Sequence, residues 1–247
     1  MSSSDNNDRY FFIHIQKTAG TSLRRHLLAN FTREEMYPPV QEGGMMDFLT
    51  TYLAGGLLVA LPPEVQSRFR LFHGHMPYAT SQRLCFEDKP KTFTLLREPV
   101  ARTISVLGQK KRQRKELANA SLEDIYNDPD IFKGQILNHQ AKIFAVPDDS
   151  DLLAGFNPYP VDAQGLARAK SNLARVDVVG LQSNMPGFLA DLGRSFGWTI
   201  LDEEVRENVG TTGSDDIPQS LRDRIVEDNA LEMEFYQYAV DLVASRG

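Results

Sequence analysis

The stretch from Tyr10 to Leu28, YFFIHIQKTAGTSLRRHLL, constrains this chain more than any other. Tyr10 to Ile15 is a short apolar run of aromatic and β-branched residues, which predicts a buried strand. Gln16 to Gly20 reads as a tight turn. From Thr21 the spacing becomes helical, with Leu23, Leu27 and Leu28 on one side and Arg24 and Arg25 on the other. A strand that passes through Lys17, Thr18, Ala19, Gly20, Thr21 and Ser22 into a helix has the makings of an anion cradle. The N–H groups of the first helical turn point at the anion, the helix dipole favours it, and hydroxyls and an ammonium complete the shell. Gly20 lets the backbone approach the ligand closely. The order differs from GxxxxGK[ST], where the lysine follows the last glycine and the next hydroxyl holds Mg²⁺. Here Lys17 comes first. The same residues also suit an ordinary strand–turn–helix in which Thr21 or Ser22 caps the helix.

Three further strands are predicted at Arg68–His73, Lys91–Arg97 and Val176–Leu181. They alternate with helices from Pro99 to about Lys115, at Ala163–Ala174 and at Met185–Phe196, the last closed by Gly197. Ser121-x-x-Asp124 signals a short capped helix. Phe132, Ile136, Gln140 and Ile143 mark another, and Pro218–Ser245 reads as one long terminal helix. Residues 31–66, 145–162 and 199–216 read as irregular. Strands alternating with helices give an α/β class with a parallel sheet and a helical C-terminal part, as a single domain over 1–247 with residues 1–9 disordered. Ligands of such sheets sit beyond the carboxyl ends of the strands. Gln16–Ser22, His73–Tyr78 and Arg97–Ser105 therefore share one rim.

Each rim cluster has a chemical and an ordinary reading. Arg97 ends a strand and Ser105 lies about two turns into the next helix, a fork and a hydroxyl that suit a second phosphate. The ordinary alternative pairs Arg97 with Glu98 or Glu87 and leaves Ser105 facing solvent. His73 and His75 share a strand face if the strand runs that far, and a neutral imidazole there can take a proton from a hydroxyl. They also suit a structural pair. Gln109–Lys115, QKKRQRK, is a helix end opposed to its own dipole or a patch for a polyanion. Asn138 and His139 are candidates for a cleft wall.

The net charge of −6 argues against a general nucleic-acid binder. Cys85 is the only cysteine, so no intrachain disulfide and no Cys-rich zinc site can form. Beside Leu84 and Phe86 it reads as a packed apolar residue. The histidines are too scattered to announce a metal site. The polar start MSSSDNNDR lacks a signal-peptide pattern and no apolar run reaches the ~20 residues of a membrane span, so a cytoplasmic protein is expected.

FIHIQKTAGTSL resembles the 5′-phosphosulfate loop of sulfotransferases that use 3′-phosphoadenosine 5′-phosphosulfate (PAPS), in particular the heparan sulfate 2-O- and 6-O-sulfotransferases and their bacterial relatives. TLLREPVARTISVL resembles the same family's 3′-phosphate motif, and FHGHMPY the segment that carries its catalytic histidine. Fainter likenesses follow in order at LNHQAKIFA, VDVVGLQSNMPGFLADLGRSFGW and LEMEFYQYA. The resemblance implies a P-loop-like sheet and transfer of a sulfuryl group from PAPS to an acceptor hydroxyl of a carbohydrate or glycoconjugate, with no metal. It implies that Lys17, with the Thr18–Ser22 backbone and hydroxyls, neutralises the leaving phosphate. His75 maps onto the general base with His73 supporting it, and Arg97 and Ser105 onto the 3′-phosphate ligands. The family's animal members are membrane-anchored and disulfide-bearing, which a single cysteine does not match. A bacterial cytosolic enzyme fits better, with an acidic glycan, a lipid-linked sugar or a small alcohol as acceptor. Two other classes share these features: an ATP-dependent P-loop kinase, which needs a lysine after Gly20 and an acidic Mg²⁺ ligand at a strand end, and a non-catalytic nucleotide- or glycan-binding module.

Overall fold

A computed structural model describes residues 8–38, 55–153, 159–202 and 217–247. Its centre is a five-stranded sheet in the order β2-β3-β1-β4-β5, every pair parallel. The strands are β1 Tyr10–Ile13, β2 Met36–Tyr37, β3 Leu71–Gly74, β4 Lys91–Leu96 and β5 Val178–Leu181. The pairing confirms the α/β class with its parallel sheet. β2, only two residues long, falls in the stretch read as irregular. No periodicity can announce so short a strand.

Apolar residues occur on both faces of the strands because both faces are covered, as parallel sheets require. On one face Tyr10, Phe12, Leu71, Phe93, Leu95 and Val178 pack against Leu23 and Leu27 of α1 (Gly20–Asn30). The other face carries Phe11, Ile13, Phe72 and Leu96, and beyond the end of β1 Ile15 joins the same cluster. That cluster includes α2 (Tyr78–Gln82), α4 (His139–Ala145), α5 (Ala163–Ala174) and α8 (Ala230–Arg246). α3 (Pro99–Gln113) behaves differently. Its Val106 and Leu107 join a third cluster with Ile125, Tyr126, Ile136, Leu221 and Ile225, away from the strands. Of the longer helices that remain, α6 (Met185–Phe196) lies on the Phe12 face and α7 (Gln219–Asp228) joins the α3 cluster through Leu221 and Ile225. α1 and α2 leave β1 and β3 to opposite faces of the sheet, the arrangement beyond whose strand ends ligands of such sheets bind.

Local signals hold where they rest on caps. Pro99 sits in the first turn of α3 and Ser121 forms its capping box with Asp124. Gly197, with φ 70°, closes α6. Two helices are broken where periodicity runs on. Asn229 divides the terminal helix into α7 and α8, its side chain donating to the Ile225 carbonyl at 2.9 Å and accepting from the Asn138 N–H at 2.8 Å. Asn138 itself is left-handed, with φ 48°, and separates a π-helical turn, Phe132–Ile136, from α4. Polar side chains that satisfy backbone groups elsewhere can interrupt a helix without any change in its apolar pattern.

Residues 1–7 of the expected disordered segment lie outside the described residues, while Asp8 pairs with Lys91 at 2.7 Å and Arg9 lies 4.2 Å from the Phe86 ring. Cys85 is exposed rather than packed, its N–H donating to Gln66 at 3.2 Å. Among the described residues no helix is long and apolar enough to cross a membrane. Much of the irregular stretches 31–66, 145–162 and 199–216 falls at 39–54, 154–158 and 203–216, outside the described residues.

Candidate functional site

The turn after β1 is built to present N–H groups. Lys17 and Ala19 are left-handed, with φ 68° and 71°, while Thr18 between them is not. That alternation costs about 1–2 kcal/mol at each non-glycine position and turns successive amides to one side, the geometry of an anion nest. The carbonyls face the other way and are taken from behind. Thr18 Oγ1 donates to the Ile15 carbonyl at 3.0 Å, Arg102 Nε to that of Gln16 at 3.2 Å, and Arg97 Nη1 to that of Lys17 at 3.2 Å. A loop whose oxygens are held on cations and a hydroxyl offers an anion only donors.

α1 begins at this turn with Ala19 as its cap residue, no side-chain cap and no acid in its first turn. Neither Thr21 nor Ser22 occupies the cap position, so the ordinary capped-helix reading does not hold. The predicted site is adjusted at two residues. The Thr18 side chain is buried with its hydroxyl on Ile15, so Thr18 has only its backbone to offer a ligand. At Gly20 an added Cβ would lie 2.0 Å from His14 Nε2. Glycine is required there for the histidine behind it, whatever lies in front.

Arg97 follows the last residue of β4, and Glu98 does not hold it. The Glu98 carboxylate caps α3, accepting from Val100 N at 3.0 Å and Ala101 N at 2.7 Å. Ser105 is partly buried on α3, and the exposed Arg112 follows it by seven residues, about two turns along the same face. The Lys17 ammonium is pushed below its usual range, first by burial and then by the charges of Arg112 and Arg97. Arg112, in the QKKRQRK run, thus carries its charge to the turn.

Four of the five histidines gather beside it. The β1–β3 register pairs Phe12 with His73 and Ile13 with Gly74, which carries His14 toward His75 one step past the ladder. Their ring centroids lie 4.4 Å apart, and His14 stacks on Phe12 at 4.9 Å. β3 ends at Gly74 with φ 138°, so strand alternation stops there. His73 and His75 still influence each other electrostatically. His75 Nδ1 lies 2.9 Å from the His14 carbonyl. A carbonyl only accepts, so Nδ1 carries the proton and Nε2 the lone pair. His73 bonds the Pro38 backbone and, among the described residues, its buried Nε2 has no hydrogen-bond partner.

Burial keeps these rings neutral. His73 and His75 are each lowered to about 4, chiefly by desolvation, with a hydrogen bond to a carbonyl opposing it in each case. Arg24 and His75 add to the lowering at His73, and Arg102 at His75. His14 is lowered well below its usual range by burial, then by His75 and His73. His139 is wholly buried and held neutral by burial and by Arg102. Asn138, read with His139 as a candidate for a cleft wall, is buried as well and accepts from Glu232 N at 3.0 Å. Among the described residues no group of three or more His, Cys, Asp or Glu side chains is placed to hold a metal ion.

The sequence reading missed His14 and Arg102. His14 lies two residues before the turn and joins the site only through strand register. Arg102 is wholly buried inside an amphipathic helix, and only its carbonyl partners reveal it. No protein-family model and no curated protein matches this chain.

Proposed function

We propose that the chain is a PAPS-dependent O-sulfotransferase with a P-loop-like sheet, moving a sulfuryl group to an acceptor hydroxyl. The observation that carries this reading is the division of one rim into a cationic turn and a neutral imidazole. The turn presents amides and Lys17 with its carbonyls withdrawn, and His75 stands beside it with its lone pair on Nε2. PAPS, when bound, supplies a sulfuryl group on a phosphate leaving group. The Lys17 ammonium and the N–H groups of residues 18–22 stabilise charge growing on the 5′-phosphate oxygen as its bond to sulfur breaks. His75 Nε2 would take the proton of the acceptor hydroxyl as the acceptor oxygen bonds to sulfur. His73 orients the acceptor or the base. Arg97 and Ser105 hold the 3′-phosphate, and adenosine 3′,5′-bisphosphate leaves.

The same arrangement speaks against the kinase. No lysine follows Gly20, and β4 leads into Arg97 rather than an acidic Mg²⁺ ligand. An acceptor hydroxyl on a carbohydrate or glycoconjugate and a cytoplasmic setting belong to the proposal.

Calorimetric titration of adenosine 3′,5′-bisphosphate, with AMP and with ATP plus Mg²⁺ as controls, tests the cofactor. The bisphosphate is expected to bind at least tenfold more tightly than AMP, about the worth of one charge-assisted phosphate contact. Arg97→Ala should abolish that preference, whereas Lys17→Ala should weaken both nucleotides about 10–100-fold. Tighter binding of ATP with Mg²⁺ would overturn the reading.

A further inference from the structure

Arg97 stands just outside the sheet. The β4–β5 ladder ends at the Leu96–Leu181 pair and the β1–β4 ladder at Thr94. A backbone position past the ladder needs another partner for both its groups. Gln140 of α4 supplies it: its Oε1 accepts from the Arg97 N–H at 3.0 Å and its Nε2 donates to the Arg97 carbonyl at 2.8 Å. A side-chain amide here takes the place of the missing neighbouring strand. Only Asn and Gln carry a donor and an acceptor of that shape.

The amide is itself fixed in one orientation. Glu232 of α8, 1% exposed, accepts from Gln140 Nε2 at 3.2 Å and from Gln140 N at 2.8 Å. A carboxylate accepts only, so it holds the nitrogen end of the amide toward itself and the oxygen end toward Arg97 N. The guanidinium of Arg97 then reaches back to the Lys17 carbonyl at 3.2 Å, at the left-handed residue of the anion turn. A continuous path of hydrogen bonds thus runs from the C-terminal helix through α4 and the end of β4 to the turn. Beside it, Asn138 and Asn229 tie the same two helices together.

We propose that Gln140 and Glu232 are positioning residues for the donor site, setting the direction from which the Arg97 guanidinium meets a phosphate. This rests on the reading of Arg97 as a 3′-phosphate ligand. Neither side chain touches the ligand; each acts through Arg97.

The test is the ratio of affinities for adenosine 3′,5′-bisphosphate and AMP, measured by calorimetry on the full chain alongside thermal melts. In Gln140→Ala the bisphosphate is expected to lose about tenfold and AMP far less, so the ratio falls toward that of Arg97→Ala. Glu232→Gln leaves an amide that can still accept from Gln140, and should lower the ratio about threefold with the fold intact. Combining either change with Arg97→Ala should lower the ratio no further than Arg97→Ala alone, because both act through that residue. Equal weakening of both nucleotides, or a ratio that Glu232→Gln leaves at the wild-type value, would overturn the proposal and make the path a structural brace. A wild-type protein without preference for the bisphosphate would instead overturn the role of Arg97 on which the proposal stands.

Discussion

The carboxyl ends of the strands have two sides, one cationic and one neutral, and burial lowers the basic groups of both. On the β4 side stand Lys17, Arg97 and Arg102, and the two guanidiniums donate to backbone carbonyls, that of Lys17 among them. A carbonyl dipole accommodates a cation without cancelling it, so charge is kept where an anion is to be drawn. On the β3 side the imidazoles of His14, His73 and His75 stand together, and desolvation, helped by neighbouring imidazoles at His14 and His73 and by Arg102 at His75, disfavours their charged forms. One side is made to hold an anion and the other to accept a proton. The two meet at Gly20, whose missing side chain leaves room for His14 directly beneath the first turn of α1.

The sharpest way to break this division is His75→Ala. Turnover with any hydroxyl acceptor that the wild type sulfates is expected to fall about 10²–10⁴-fold, the usual worth of a positioned base. Affinity for adenosine 3′,5′-bisphosphate should hold within about threefold, since the imidazole contributes no charge to the turn. Equal losses in turnover and affinity would show that the two sides are one. Gly20→Ala attacks the junction instead. Its Cβ would meet the His14 ring, an overpacking worth about 1–3 kcal/mol, and urea midpoints should fall together with nucleotide binding.

The pH dependence separates the sides more gently. His73 and His75 titrate at about 4 in the folded chain, below the ordinary 6.5, so between these values the unfolded chain binds more protons. Their contribution to stability is complete above about pH 6.5 and is lost as pH falls toward about 4. Each group should tilt stability by about 1.4 kcal/mol per pH unit within that window. His75→Gln should flatten the profile by one group, which pH-stepped urea titrations would reveal. A bound polyanion raises imidazole pKa values, so nucleotide binding within the same window should take up protons. The smallest effect is expected at the exposed Arg112. Arg112→Ala should weaken the bisphosphate about two- to fivefold at low salt and hardly at all at high salt, as screened surface charge does.

The frame of this site was legible because strands, caps and turns are written locally. Tyr10–Ile15, Lys91–Arg97, Pro99 and Ser121-x-x-Asp124 each announce their structure within a few residues. The four separated imidazoles were not, because His14 meets His75 only through the pairing of β1 with β3. Nor could the two helix breaks be read, since Asn138 and Asn229 satisfy one another's surroundings across ninety-one residues of sequence. Gly20 reads in the sequence as a close approach to a ligand, whereas the neighbour the structure sets against it is His14, from the strand behind.

α3 carries Ser105 and Arg112 away from the sheet into a cluster of its own with Ile125, Tyr126 and Leu221. In the proposed role, the ligands of a two-phosphate nucleotide would belong to two apolar clusters, that of the sheet with its turn and that of α3, joined by the buried Arg102. In amide hydrogen exchange of the free protein, the α3 cluster is expected to open at lower free energy than β1 and β4. A nucleotide bridging Lys17 and Ser105 would join the two into one cooperative unit, and protection in α3 would rise toward that of the central strands.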